Sequence, residues 1–169
     1  MPTLVLLRHL KSSWDDEGLA DHDRPLATRG HAAGERVRRH LEAAGVSPQL
    51  VLCSSAVRAV ETWEAVRAGL PGDAELRIEG GLYEAGAEAL LGRLNAVPDS
   101  AAAVLLIAHN PGIGDLAVGL AGSGDGDARE RMAEKYPTGG LATLAFDGPW
   151  AALAPERAEL REFVVPREL

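Results

Sequence analysis

Short apolar runs separated by polar stretches set the rhythm of this chain. Leu4-Val5-Leu6-Leu7 is too short for a helix and apolar at every position, the pattern of a strand buried on both faces. It ends abruptly in Arg8-His9. Leu50-Val51-Leu52-Cys53 repeats the pattern, and residues 102–108 form the most apolar run of all. Residues 75–79 alternate charged and apolar side chains, which predicts an edge-like strand. Residues 139–146 and 160–164 are the last two strand candidates, with a loop carrying Trp150 between them.

Between these runs the apolar spacing changes to three and four. Ala33, Val37, Leu41 and Ala44 mark one side of a helix beginning near Arg29, with Thr28 as its cap and Gly45 as its stop. A second helix opens after Ser54-Ser55, with a serine hydroxyl as cap, and runs through Arg67. Further helices are predicted over residues 87–94, 113–120 and 129–136. Residues 10–29 form a long polar connection with Trp14 as its one large apolar side chain, and such a loop directly after a buried strand is usually functional. Residues 121–128, rich in Gly and Asp, predict a flexible segment. Strands alternating with helices predict an α/β protein: three layers, α/β/α, around a mostly parallel sheet, with the last two strands pairing antiparallel. At 169 residues, one domain over 1–169 is expected.

Composition narrows this little. With only 3 Trp, 2 Tyr and 2 Phe, the core must be mainly Leu, Val and Ala. The net charge of -8 argues against a general nucleic-acid or anionic-membrane binder, since nothing supplies a broad basic face. A local cationic pocket in such an acidic protein would mark an anion site. Cys53 is the only cysteine, so no intrachain disulfide forms, and it is expected as a buried thiol at a strand end. No stretch reaches the roughly 20 apolar residues of a membrane span. A cytoplasmic monomer is the default expectation.

Three strand ends carry chemistry: Arg8-His9, the stretch from Ser54 to Arg58, and His109. In a parallel sheet these ends share one edge, the edge at which open α/β sheets bind ligands. Two guanidiniums hold a tetrahedral oxyanion through forked hydrogen bonds, and a helix amino terminus adds backbone donors. An imidazole in that field can attack phosphorus, and a second can donate to the equatorial oxygens. His22, His31 and His40 fall in loop or helix-surface contexts and are expected to be solvated, as are Arg36, Arg38 and Arg39. Their spacing fits no metal site, and Gly124-Asp125-Gly126-Asp127 lacks the register and closing glutamate of a calcium loop.

These motifs, in this order, resemble the histidine phosphatase superfamily, with the phosphoglycerate-mutase-like fold. Arg8-His9 is similar to its Arg-His-Gly signature, with Leu10 in place of glycine. Ser12, Trp14 and Asp15 follow where mutase relatives often carry Ser, Trp and Asn. Asp23-Arg24-Pro25-Leu26-Ala27-Thr28-Arg29-Gly30 resembles the segment ahead of the first helix. Ser54-Ser55-Ala56-Val57-Arg58-Ala59-Val60-Glu61-Thr62 resembles the Ser-Ser-Pro-x-x-Arg-Ala-x-x-Thr stretch, with Ala56 for proline. Ala108-His109-Asn110-Pro111-Gly112 resembles the second-histidine motif, and with the short length it points to the small SixA-like branch. The resemblance implies that His9 is the phosphorylated nucleophile, that Arg8, Arg58 and His109 hold the phosphate, and that water hydrolyses the phosphohistidine intermediate with neither a metal nor an organic cofactor. It implies a phosphorylated protein side chain, phosphohistidine, or a small phosphorylated molecule as substrate. Glu84, in the region where larger relatives place a proton donor, is the candidate general acid. Leu10 is expected to narrow the pocket; Lys11 reads first as a surface lysine, with added charge at the pocket mouth as the alternative.

Three other readings compete. Gly112-Ile113-Gly114-Asp115-Leu116-Ala117 matches a dinucleotide fingerprint, but late in the chain and with no acidic strand end after it. A non-catalytic phosphate-binding module is expected to lose His9 or an arginine, and both are present. A small-molecule phosphomonoesterase is the runner-up within the enzyme reading; a mutase needs insertions that this chain lacks.

Overall fold

The computed structural model describes residues 1–169. One seven-stranded sheet collects β1 (Thr3–Arg8), β2 (Leu50–Ser54), β3 (Glu75–Glu79), β4 (Ala103–Ala108), β5 (Ala121–Gly124), β6 (Leu141–Phe146) and β7 (Ala158–Val164). Their spatial order is β3-β2-β4-β1-β6-β7-β5. β1 pairs in parallel with β4, β4 with β2, and β2 with β3. β6 runs antiparallel to both β1 and β7, and β5 pairs in parallel with β7. β6 is therefore the one strand that runs against all others. The sheet is mostly parallel, and the last two strands pair antiparallel.

The period-two alternation of the strands divides the core. Leu4 and Leu6 of β1 pack on one side with Leu90, Leu94, Ile113, Leu116 and Met132, from α3 (Ala87–Asn95), α4 (Gly112–Leu120) and α5 (Gly126–Glu134). Val5 and Leu7 pack on the other with Val37, Leu41, Trp63 and Val66, from α1 (Thr28–Ala44) and α2 (Val57–Val66). Cys53 belongs to this second core as a buried thiol, and burial pushes its pKa up to about 12. Trp150 is fully buried in the first core, where its indole donates to Ala101 O.

The structure corrects several local expectations. Thr28 is the first helical residue of α1 rather than its cap; Ala27 holds that position without a side-chain bond, and Gly45 stops the helix in the left-handed conformation (φ 68°). No serine hydroxyl caps α2: Ala56 is its N-cap, and Ser54 Oγ instead accepts from the Ala56 N–H. The Gly- and Asp-rich segment is not a flexible loop. Its first half is β5, and α5 begins at Gly126, capped by Asp125. Glycine suits that edge, because a Cβ on Gly122 would lie 2.0 Å from Glu156 O. No helix is long and apolar enough to cross a membrane.

Candidate active site

Register builds the site. Arg8 pairs with Ala108 across β1 and β4, so the next residue of each strand, His9 and His109, emerges side by side. Their ring centroids lie 5.0 Å apart. Cys53 pairs with Ile107 across β2 and β4, which brings Ser54 level with the same edge. Ser54 Oγ lies 2.7 Å from His109 Nε2. Arg58 stands one residue into α2 and Gly112 opens α4, so two helix amino termini meet this edge with their positive dipole ends.

Each functional side chain is held from behind. His9 Nδ1 is 2.7 Å from Leu10 O, and a carbonyl only accepts. The proton therefore sits on Nδ1, and Nε2 keeps its lone pair. The Leu10 N–H donates to Thr62 Oγ1 (3.0 Å), whose hydroxyl donates to Arg58 O (2.7 Å). One buried threonine thus ties the histidine loop to the arginine helix. Arg8 Nη1 donates to Tyr136 O, and buried Arg8 Nε and His109 Nδ1 have no protein partner. Arg58 donates to Asp21 O through Nη1 and to Asp21 Oδ2 through Nη2.

The electrostatics follow from burial among cations. His9 is 7% and His109 8% exposed. Burial lowers His9 to about 3; its bond to Leu10 opposes this, and His109, Arg58 and Arg8 add to it. Burial, then Arg58, lowers His109 to about 4. Burial and Arg58 also lower the Arg8 guanidinium. The Tyr83 hydroxyl, with Arg24 and Arg58, holds Asp21 well below the usual carboxylate range. Both imidazoles are thus neutral at pH 7, beside two guanidiniums.

Arg8, His9, Arg58 and His109 meet as the sequence predicts. Glu84 is exposed and lines a pocket of about 280 Å³ together with Asp21, Arg58, Tyr83, His109 and Asn110. Sequence reasoning missed three neighbours. Asp21, from a 3-10 turn in the long loop, is the hub that bonds Arg24, Arg58 and Tyr83. Tyr83 packs edge-on against His109, with centroids 5.6 Å apart. His22 is not simply solvated: its Nε2 lies 2.9 Å from Ser55 Oγ, and it stacks edge-on against Tyr83. The length of the polar loop was the available signal for Asp21 and His22.

Two further expectations change. Leu10 does not narrow the pocket, because its side chain is fully buried in the core beside α1. A Cβ on Gly34 of that helix would come within 2.9 Å of Leu10 Cδ1, and one on Gly30 within 2.2 Å of Lys11 O, so α1 reaches this loop only through glycines. His40 is half-buried, with Nε2 2.6 Å from Glu162 Oε1. Arg24 is buried, donates to Ser12 Oγ and Ser13 O, and stacks on exposed Trp14.

Comparison with known proteins agrees with this geometry. The model for the histidine phosphatase superfamily (branch 1) matches residues 4–133. The Mycobacterium tuberculosis protein Rv1276c is 40% identical over 167 residues, covering 95% of this chain and 100% of that one. Among solved structures, the candidate phosphohistidine phosphatase SixA from Nakamurella multipartitia superposes with a TM-score of 0.85 at 30% identity, covering 98% of this chain and 96% of that one. Its counterpart from Agrobacterium tumefaciens gives 0.81 at 27%, covering 98% and 99%. With its two histidines at adjoining strand ends and a fold that superposes over nearly the whole chain, the chain belongs to the histidine phosphatase superfamily, branch 1, in its SixA-like group.

Proposed function

We propose that the protein hydrolyses phosphohistidine on a protein, with His9 as nucleophile. The observation that carries this reading is the bond from His9 Nδ1 to Leu10 O, which leaves Nε2 unprotonated beside two guanidiniums. In the first step the Nε2 lone pair forms a bond to phosphorus while the P–N bond of the substrate breaks. The departing imidazole leaves neutral when its other ring nitrogen already carries a proton. In the second step water attacks phosphorus, the bond to His9 breaks, and the products are inorganic phosphate and a neutral His9. Arg8 Nε and His109 Nδ1, both buried without a protein partner, suit the equatorial oxygens as donors. Arg58 supplies the second guanidinium.

Glu84 favours a second reading. A carboxyl group lining the pocket can protonate an ester oxygen, as a small-molecule phosphomonoesterase requires. A P–N bond asks less of such a group. Comparing kcat/KM for a phosphohistidine peptide and an aryl phosphate separates the two. The phosphohistidine reading predicts strong preference for the peptide and similar rates in Glu84→Gln. Preference for the ester, lost in Glu84→Gln, would establish the phosphomonoesterase instead.

A further inference from the structure

A cavity larger than the catalytic pocket lies outside it. It is an open groove of about 840 Å³ between the start of α1, the end of α5 and the residues after β7. Six cations line it: Lys11, Arg29, Arg36, Arg131, Lys135 and Arg167. Glu134 and Glu168 are its only carboxylates, and Glu168 is paired with Arg131.

In an acidic protein this grouping stands out. Of the 17 lysines and arginines, eight have no carboxylate within 4.0 Å. Five of those eight lie in this groove: Lys11, Arg29, Arg36, Lys135 and Arg167. The contrast holds within one helix. Arg38 and Arg39 of α1 bond Glu35, whereas Arg29 and Arg36, two turns apart on one face, bond no acid. Like charges gathered on one concave wall destabilise the free protein unless an anion offsets them.

The groove adjoins the catalytic histidine through the backbone. Lys11 follows His9 by two residues, and the N–H of Gly139, next to the lining residues Pro137 and Thr138, donates to Arg8 O and His9 O. A ligand reaching both places is larger than a phosphate ester. Arg29 and Arg36 are separated by about 10 Å along the helix, roughly three residues of extended peptide.

We infer that this groove docks an acidic segment of the phosphorylated protein whose phosphohistidine enters the catalytic pocket. The inference rests on the proposed phosphohistidine activity for its catalytic arm only. The segment is recognised by charge, since few apolar residues line the groove, and its contribution is screened by salt.

The test uses a synthetic peptide carrying phosphohistidine beside a run of glutamates, and its twin with glutamine at those positions. Wild type is expected to favour the acidic peptide through KM by tenfold or more at low salt, with the preference shrinking as salt rises. Exposed charge pairs are worth about two- to fivefold each, so Arg29→Ala/Arg36→Ala/Arg167→Ala should abolish the preference while leaving the neutral peptide unaffected. Arg157→Ala, at the amino end of β7 and outside the groove, should change nothing. Equal loss on both peptides, or a preference surviving the triple variant, would overturn the docking site. Calorimetry with octaglutamate decides the docking site separately. Salt-sensitive binding that the triple variant loses supports it, and absence of binding overturns it. Hydrolysis of neither peptide, with octaglutamate still bound, would refute the phosphohistidine reading and leave the groove standing.

Discussion

Lowering the pH from 7 to 5 should destabilise the ligand-free protein through His9 and His109. Both are buried among cations, which lowers them to about 3 and about 4, while unfolded histidines titrate near 6.5. Well above pH 6.5 the imidazoles are neutral in both states and contribute no pH dependence. Below it the unfolded chain takes up protons that the folded chain refuses, so stability falls with pH until the folded values are reached. Between pH 7 and 5 each such site costs about 2 kcal/mol, and solvent screening at the pocket that His109 lines brings the pair to roughly 3 kcal/mol. Urea unfolding at the two pH values measures the total, and His9→Asn should remove about 2 kcal/mol of the difference. NMR titration of the His9 ring should show no protonation above pH 5, with Nδ1 bearing the proton. A His9 ring that titrates near 6.5, or a pH dependence unchanged in His9→Asn, would refute the reasoning.

Other perturbations probe the frame behind the site. Thr62→Val keeps the shape but leaves the buried Leu10 N–H without its acceptor, so it should cost about 1–3 kcal/mol in urea unfolding and lower kcat with it. A loss of stability with unchanged kcat would show that Thr62 does not position His9 and Arg58. Leu10→Ala should destabilise by about 2–5 kcal/mol, as a large-to-small change in a packed core, without widening the range of accepted substrates. Near-neutral stability with broader specificity would return Leu10 to the pocket wall.

The strands were legible because burial on both faces leaves an unbroken apolar run, as in Leu4–Leu7 and residues 104–107. β5 was not, since Ala121-Gly122-Ser123-Gly124 has no side-chain pattern; close approach to β7 selects glycine there. The four central residues were legible for a topological reason: parallel strands deliver their next residues to one edge. The partners of Arg58 were not. Asp21 and Tyr83 meet it across 37 and 25 positions of chain, through a loop whose conformation no periodicity encodes. Leu10 was misjudged because proximity in sequence to His9 says nothing about which way a side chain leaves the strand end. The overall charge of -8 likewise hid the groove, since folding gathers unpaired cations from four separate segments.

The most direct test of the account is to identify the phosphorylated residue during turnover. Wild-type enzyme mixed with a phosphohistidine peptide and quenched in alkali within milliseconds should yield an acid-labile phosphoryl group on the peptide containing His9. His9→Ala should yield none and lose turnover while retaining its fold. A phosphoryl group on another residue, or substantial turnover by His9→Ala, would contradict the central claim.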